Sequence, residues 1–300
     1  MIIDKPGKVT DRIFLLGRNE SCVYIFKGEG EYALLGGGMT CIVPEFLVQL
    51  KDFGIDEKMV TRIIILHAHF DHCGMVPFLK KRWPWTRITA SERAGELLSK
   101  PKVIERIDQL NRVVLAEYGM TAFEKDLGLT FDGIAVEDVV NGGDVLSCGG
   151  YSMDVIDVPG HSSCSIAVYV DGEKALFASD AAGIPFGDEI FTAANSNFDM
   201  YQESLEKMAA YEINVLLAEH FGARTAEDGR VFLKKSIASA VETRKILETS
   251  YARTRDVQKC TDEVTDALME RLPHGFMPRD IIALVAGQMV NFIAGKNTEG

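Results

Sequence analysis

The sequence predicts a layered α/β fold followed by an all-helical carboxy-terminal segment. Three observations carry that prediction. Short β-prone runs bounded by glycines fill the first forty residues, aliphatic strands and amphipathic helices then alternate to about residue 220, and from Val231 onward only helical patterns remain. The chain divides accordingly into 1–230, a mixed α/β unit, and 231–300, a helical cap or dimerisation segment.

RIFLLG, SCVYIFKG and EYALLGGG are the opening strands, and residues 43–52 suit a short helix. RIIIL, residues 62–66, is an uninterrupted aliphatic run of the kind covered on both faces of a sheet. Met75 to Arg82 reads as a helix ending before Trp83-Pro84, and 91–127 as helical throughout. Strands return with DVLSCGG, YSMDVIDVPG, SIAVYV and KALFASD, and a helix over 199–211 precedes the strand NVLLAEH. The tail reads as helices over about 231–257, 262–272 and 279–294. The last starts after Pro278, a good helix-start residue. Its Ile281, Ile282, Leu284, Val285, Met289, Val290, Phe292 and Ile293 surround most of the circumference, so burial is expected against the α/β core, the helices of 91–127 or a second copy of the chain. Two roles stay open for this helix: bringing Met289 or Phe292 near the functional site, or serving as a plain stabilising element.

Composition narrows the function classes. The 300 residues are 47% hydrophobic and 25% charged, ordinary for a globular protein. The net charge of −12 repels phosphate backbones and makes nucleic acid a poor partner. The amino-terminal stretch does not read as a secretory signal, and no run of eighteen apolar residues suggests a membrane span. The cysteines at 22, 41, 73, 148, 164 and 260 form no CxxC pair, and a disulfide framework is unexpected in a chain this long. A reduced, cytoplasmic protein is the expectation.

Four strands end in metal-ligand side chains. RIIIL runs into His67, His69, Asp71 and His72; YSMDVIDVPG into His161; KALFAS into Asp180; NVLLAE into His220. Strand ends in layered α/β folds converge on ligand sites, so these seven residues are expected along one edge. In extended chain, residues two apart point the same way, so His67 and His69 can grip one metal. A turn after Phe70 would aim Asp71 and His72 at a second. Imidazole and carboxylate donors suit zinc, iron or manganese, and seven exceed what one tetrahedral ion uses, so two divalent ions are expected. A lone histidine or aspartate at a strand end is ordinarily structural. HxHxDH within six residues, joined to three more such endings, is far more specific. His274, in LPHGF, reads as a surface residue, and Cys73 and Cys164 as small packing residues.

These residues resemble the metallo-β-lactamase superfamily. The run His67-Ala68-His69-Phe70-Asp71-His72 matches its HxHxDH signature, and His161, Asp180 and His220 match its later motifs in order. The resemblance implies an αββα sandwich over about residues 10–225. It implies that His67, His69 and His161 hold one metal, Asp71, His72 and His220 a second, and that Asp180 bridges both. Asp71 would also orient the nucleophile or pass on its proton. Narrower similarity, in HAHFDHCGMVPFLKKRWP, TASERA, VIERI and MYQESLEKM, is to the quinolone-signal response thioesterases, which hydrolyse 2-aminobenzoylacetyl-CoA. The glyoxalase II branch shares the ligand set and a helical tail. Leu35-Gly36 departs from the aspartate common before that glycine.

The resemblance implies a hydroxide held between two metals, acting on a small-molecule thioester or ester. A phosphodiesterase or nuclease of the same fold would want basic residues around the site. A lactonase or β-lactamase is a further reading. A signalling protein whose partner surface outweighs turnover stays open too. Di-iron electron transfer usually wants a glutamate where this chain has His69.

Overall fold

The computed structural model describes residues 1–295. The last five residues of the predicted helical segment lie outside them.

The chain opens with Ile2–Ile3 (β1), then Gly7–Lys8 (β2), Ile13–Arg18 (β3), Ser21–Lys27 (β4) and Tyr32–Leu35 (β5). Helix Val43–Asp52 (α1) leads to Val60–Ile64 (β6). The one-turn helix Phe70–Cys73 (α2), Val76–Arg82 (α3) and strand Arg87–Ser91 (β7) follow. Glu92–Leu98 (α4), Pro101–Glu117 (α5) and Thr121–Leu127 (α6) precede Asp138–Val140 (β8). The second half runs through Val145–Cys148 (β9), Tyr151–Asp157 (β10), Ile166–Val170 (β11) and Ala175–Phe177 (β12). A hairpin, Ile184–Phe186 (β13) and Glu189–Phe191 (β14), comes before Phe198–Ala209 (α7), Val215–Leu217 (β15) and Ala223–Thr225 (β16). Three helices close the described chain: Glu227–Thr254 (α8), Val257–Arg271 (α9) and Arg279–Ile293 (α10).

Two seven-stranded sheets result, ordered β2-β3-β4-β5-β6-β7-β8 and β1-β16-β15-β12-β11-β10-β9. Three apolar layers bind them. Leu15, Tyr24, Phe26, Ile64, Val168 and Phe177 pack between the sheets. Leu16, Ile63 and Ile65 face Phe46, Leu79, Trp83 and Ile107 of the first helical layer. Leu176 and Leu216 face Leu205, Phe232, Leu247 and Val285 of the second. The order is helices, sheet, sheet, helices. Double coverage explains the fully buried apolar strand β11 and the apolar Ile63-Ile64 end of β6.

Several elements depart from the sequence reading. The 91–127 region is three helices. Pro101 holds Lys100 in extended backbone (φ −77°, ψ 126°), because the proline ring disfavours the helical region for its predecessor. Gly119, at φ +66°, ends α5. Ser91 caps α4, its Oγ accepting from the Ala94 N–H at 3.2 Å. Helices α8 and α9 begin several residues before the expected starts. The aliphatic run 62–66 also outlasts β6. Ile65 donates to Thr89 O at 2.9 Å in its own sheet, and Leu66 O accepts from the Ile166 N–H at 2.9 Å in the other. The chain therefore steps from one sheet to the other just before the histidine motif.

Helix α10 buries Ile282, Val285, Ala286, Met289 and Val290, but Ile281 and Leu284 remain exposed. Burial is one-sided where all-round burial was expected. No helix among the described residues is long and apolar enough to cross a membrane.

Candidate metal centre

All seven expected residues meet at one rim of the sandwich. They come from both sheets, and not from one sheet edge as the sequence suggested. The β6 exit supplies four of them. The other three follow β10, β12 and β15 of the opposite sheet. This follows from the step at Leu66, which delivers the motif to the seam between the layers.

His67, His69 and His161 form one group whose nitrogens lie within 4.8 Å of one another. His69 Nδ1 and His161 Nε2 are 3.0 Å apart. Neighbouring nitrogens on a tetrahedral zinc, with bonds of about 2.0–2.1 Å, lie at a similar spacing. Asp71, His72 and His220 form a second group. His69, extended at φ −71° and ψ 150°, caps the turn of α2, and that turn swings Asp71 and His72 away from the first group. Asp180 Oδ2 lies between the groups. It is 3.3 Å from the Nε2 atoms of both His72 and His220, 3.6 Å from that of His161 and 4.0 Å from that of His67.

The ring orientations are fixed from behind. The Nδ1–H of His161 donates to Ala193 O at 2.8 Å, and that of His220 to Glu20 O at 2.8 Å. His67 Nδ1 meets Ser179 Oγ at 2.8 Å. Each contact turns Nε2 toward the cluster. The Nε2 atoms of His67 and His72 are buried without a hydrogen-bond partner. Two orphaned imidazole nitrogens aimed at carboxylates fit a site that takes up cations. The donor set fits divalent metal ions.

Burial alone would push the Asp71 and Asp180 carboxyls up. The surrounding imidazoles, His72 and His220 foremost, outweigh it and hold both low. Burial pushes His161 down to about 4 and lowers His69 as well. His72 and His220 rise despite burial, because carboxylates face them. Asp71 keeps 20% of its side chain exposed, against 5% for Asp180, so it is the more accessible of these two carboxylates.

Three residues escaped the sequence reading. Glu219 is fully buried, with Oε2 3.2 Å from His67 Nδ1 and Oε1 3.4 Å from His72 Nδ1. Burial would raise its carboxyl, but His72 and His67 hold it down to about 2. An acid between an apolar strand and a ligand histidine, in LLAEH, was the available signal. Ser179 and Phe221, beside Asp180 and His220, adopt positive φ of +54° and +55°. Left-handed backbone at non-glycine residues is strained and concentrates at functional sites.

The glycines of ALLGGG make room for this packing. Gly36 has φ +84°, and a Cβ there would stand 2.9 Å from Glu219 Oε1. At Gly37 a Cβ would meet His72 O at 2.6 Å, and the Gly37 N–H donates to that carbonyl at 2.7 Å. Cys73 and Cys164 pack as expected, Cys164 Sγ accepting from the Ala68 N–H at 3.4 Å. All six cysteines are free and buried. His274 is exposed in the turn between α9 and α10. The tail reaches the centre through that turn: Phe276 packs on Phe221 (ring centroids 5.7 Å apart), which neighbours His220 at 6.3 Å. The tail residue next to this neighbour of His220 is Phe276, where Met289 or Phe292 was expected.

The profile of the metallo-beta-lactamase superfamily matches residues 16–220. The chain belongs to that superfamily, a hydrolytic one, and carries its His/Asp/Glu metal-binding cluster. It is 26% identical over 204 residues to a metallo-beta-lactamase fold-containing protein of Sulfurisphaera tokodaii, covering 67% of this chain and 72% of that one. It is 28% identical to a hydroxyacylglutathione hydrolase of Prochlorococcus marinus, over 54% of this chain and 52% of the relative. With an acyl-coenzyme A thioesterase of Bos taurus it shares 24% identity, over 57% of this chain and 61% of the relative. The matches to these last two thus span about half to three-fifths of the relatives' own lengths. Among solved structures, a metallo-beta-lactamase family protein of Thermus thermophilus superposes with a TM-score of 0.67 at 18% identity, covering 94% of this chain and 93% of that one. It shares the fold.

Proposed function

We propose that this protein is a two-metal hydrolase acting on a small-molecule thioester or ester. The observation that carries the reading is the pair of ligand groups with Asp180 between them and the orphaned nitrogens of His67 and His72 turned inward. In this reading His67, His69 and His161 hold one ion, Asp71, His72 and His220 the other, and Asp180 serves both. Zinc or iron suits the donors, manganese less so. When bound, the metals supply Lewis-acid polarisation of the scissile carbonyl and acidify a water to hydroxide near neutral pH.

The chain's own residues do the rest. Ala193 O, Glu20 O and Ser179 Oγ lock ring orientation, so the site is assembled before substrate arrives. Asp71, the more accessible carboxylate, orients the attacking water. The thioester preference is supported by the two relatives whose names describe thioester cleavage. The segment from 231 acts as a cap, through the aromatic contact of Phe276 with Phe221. The exposed Ile281 and Leu284 leave a homodimer as a proposal, tested by sedimentation at several concentrations. Six free, buried thiols suit a reducing, cytoplasmic setting.

The test is elemental analysis of metal-supplemented protein together with a panel of acyl-CoA, glutathione thioester, lactone and phosphodiester substrates. Two ions per chain and fastest turnover of a thioester or ester are expected. One ion or fewer refutes the two-metal site. Phosphodiester cleavage faster than every acyl substrate refutes the substrate class.

A further inference from the structure

A buried, unpaired carboxylate is expensive, so one that persists must have charged partners. Glu219 lies on the far side of the two central imidazoles from Asp180. Its two oxygens divide between them, Oε2 toward His67 Nδ1 and Oε1 toward His72 Nδ1. The two rings adjoin, with centroids 4.2 Å apart and planes tilted by 35°. In the assignment above, His67 serves the first ion and His72 the second.

We infer that Glu219 is a positioning residue shared by both metal sites. Its one carboxylate fixes the tautomer of a ligand histidine on each. A proton on Nδ1 leaves Nε2 bare for the metal, and a carboxylate facing Nδ1 favours that tautomer and raises ligand basicity. His161 and His220 rely on a backbone carbonyl for the same purpose, one each; His67 Nδ1 also meets Ser179 Oγ at 2.8 Å, so Glu219 shares that ring with a hydroxyl but alone faces His72 Nδ1. Only in the His67–His72 pair does one side chain serve two ligands. Gly36 supports the arrangement, since a side chain there would run into Glu219 Oε1. Glu219 is also grouped with His67 and His72 as a conceivable ligand set of its own. A metal there would need both Nδ1 atoms bare and would strand both Nε2 atoms, which already lie unpartnered and face the cluster. Both Glu219 oxygens are likewise buried without a hydrogen-bond partner, and Nδ1 protons directed at them, with the metals on Nε2, would account for both sides of each ring.

The inference rests on the two-metal reading, and the experiment separates them. Zinc alone is titrated against a competing chelator into metal-free wild-type protein and into Glu219→Gln and Glu219→Asp. Circular dichroism is recorded to confirm folding. Wild type is expected to bind two equivalents. Glu219→Gln should weaken both by about 10–100-fold, the range seen when a partner of a ligand histidine is lost. Glu219→Asp, which keeps the charge but shortens its reach, should weaken both by less. In zinc-loaded wild type, the ring N–H signals of His67 and His72 should be protected from solvent exchange, and both should shift in Glu219→Gln. Two equivalents in wild type with one or neither weakened in Glu219→Gln overturns the shared role alone. If Glu219→Gln does not fold, an Asp variant that binds both equivalents like wild type overturns it. Three equivalents in wild type would make Glu219 a ligand. Fewer than two would remove the two-metal reading and this inference together.

Discussion

Replacing Phe276 with alanine separates packing from function in the carboxy-terminal segment. Phe276 is 5% exposed and sits in the turn between α9 and α10. Its ring centroid lies 5.3 Å from that of Phe186, 5.4 Å from Phe191 and 5.7 Å from Phe221. Truncating a buried phenylalanine costs about 3–5 kcal/mol, of which each aromatic pair contributes about 0.5–1.5 kcal/mol. A turn can collapse around the gap more readily than a helix, so about 3 kcal/mol is expected here. At about 2 °C per kcal/mol for a chain of this size, Tm should fall by about 6 °C. The functional consequence follows from Phe221. Its left-handed backbone stores strain of about 1–3 kcal/mol, held in place by its aromatic neighbours. With Phe276 gone, Phe221 can relax and carry His220 with it. Loss of about 1.4 kcal/mol at that ligand is a tenfold weaker second zinc equivalent. The comparison is Met289→Ala, equally buried on α10, which should cost about 2–5 kcal/mol and leave zinc affinity unchanged. Thermal unfolding, zinc competition and the acyl substrate panel are run on both variants. Equal zinc affinity and equal substrate profile in the two would refute the link from the tail to His220.

Asp180→Ala removes a carboxylate within 4.0 Å of four imidazoles and should lower metal content at both sites and abolish hydrolysis. Cys73→Ala, which loses only a buried thiol packed at 3.2 Å on His69 O, should stay active; elemental analysis and turnover compare the two. Metal uptake should release more protons at the second site than at the first. His72 and His220 are raised and must shed protons below their elevated pKa values, whereas His69 and His161 are lowered and are already neutral there. Affinity at the second site should therefore fall first as pH drops. Calorimetry in buffers of different ionisation enthalpy reads the difference, and equal release at both steps would contradict it. Deleting 276–300 strips the second helical layer of Ile282, Val285, Met289 and Val290 and uncovers the apolar side chains they pack against. Aggregation or altered substrate preference is expected by light scattering and the substrate panel, and a soluble truncation with unchanged kinetics would count against the cap.

The gathering of the seven donors was largely legible because HxHxDH packs four of them into six residues, a spacing that chance rarely supplies. Helices α1, α3 and α10 were legible for a different reason, since periodicity and Pro278 mark them locally. Glu219 was not. A glutamate beside a strand reads as solvent-facing, and only the closure of two sheets over it makes it a buried partner. Nor were Ser179 and Phe221, because positive φ is usually announced by glycine and here it is imposed by tertiary contacts. The breaks at Lys100 and Gly119 were written in the sequence as Pro101 and Gly119, but the continuous apolar periodicity across them masked both.

The hydrogen bonds of Ile65 and Leu66 to different sheets have a mechanical consequence. On the ligand assignment proposed here, each ion takes donors from both layers, so it acts as a rivet through the seam. Neither half alone could bind tightly, and metal cannot template the folding of one half before the other is present. Affinity should emerge only after the sheets dock. By mass action, metal at about a hundred times its Kd would then hold that docking tighter by about 2.7 kcal/mol. Chelation should loosen the seam before either sheet unravels, and the Ile166 amide, which donates to Leu66 O across it, is where hydrogen exchange would first register the parting.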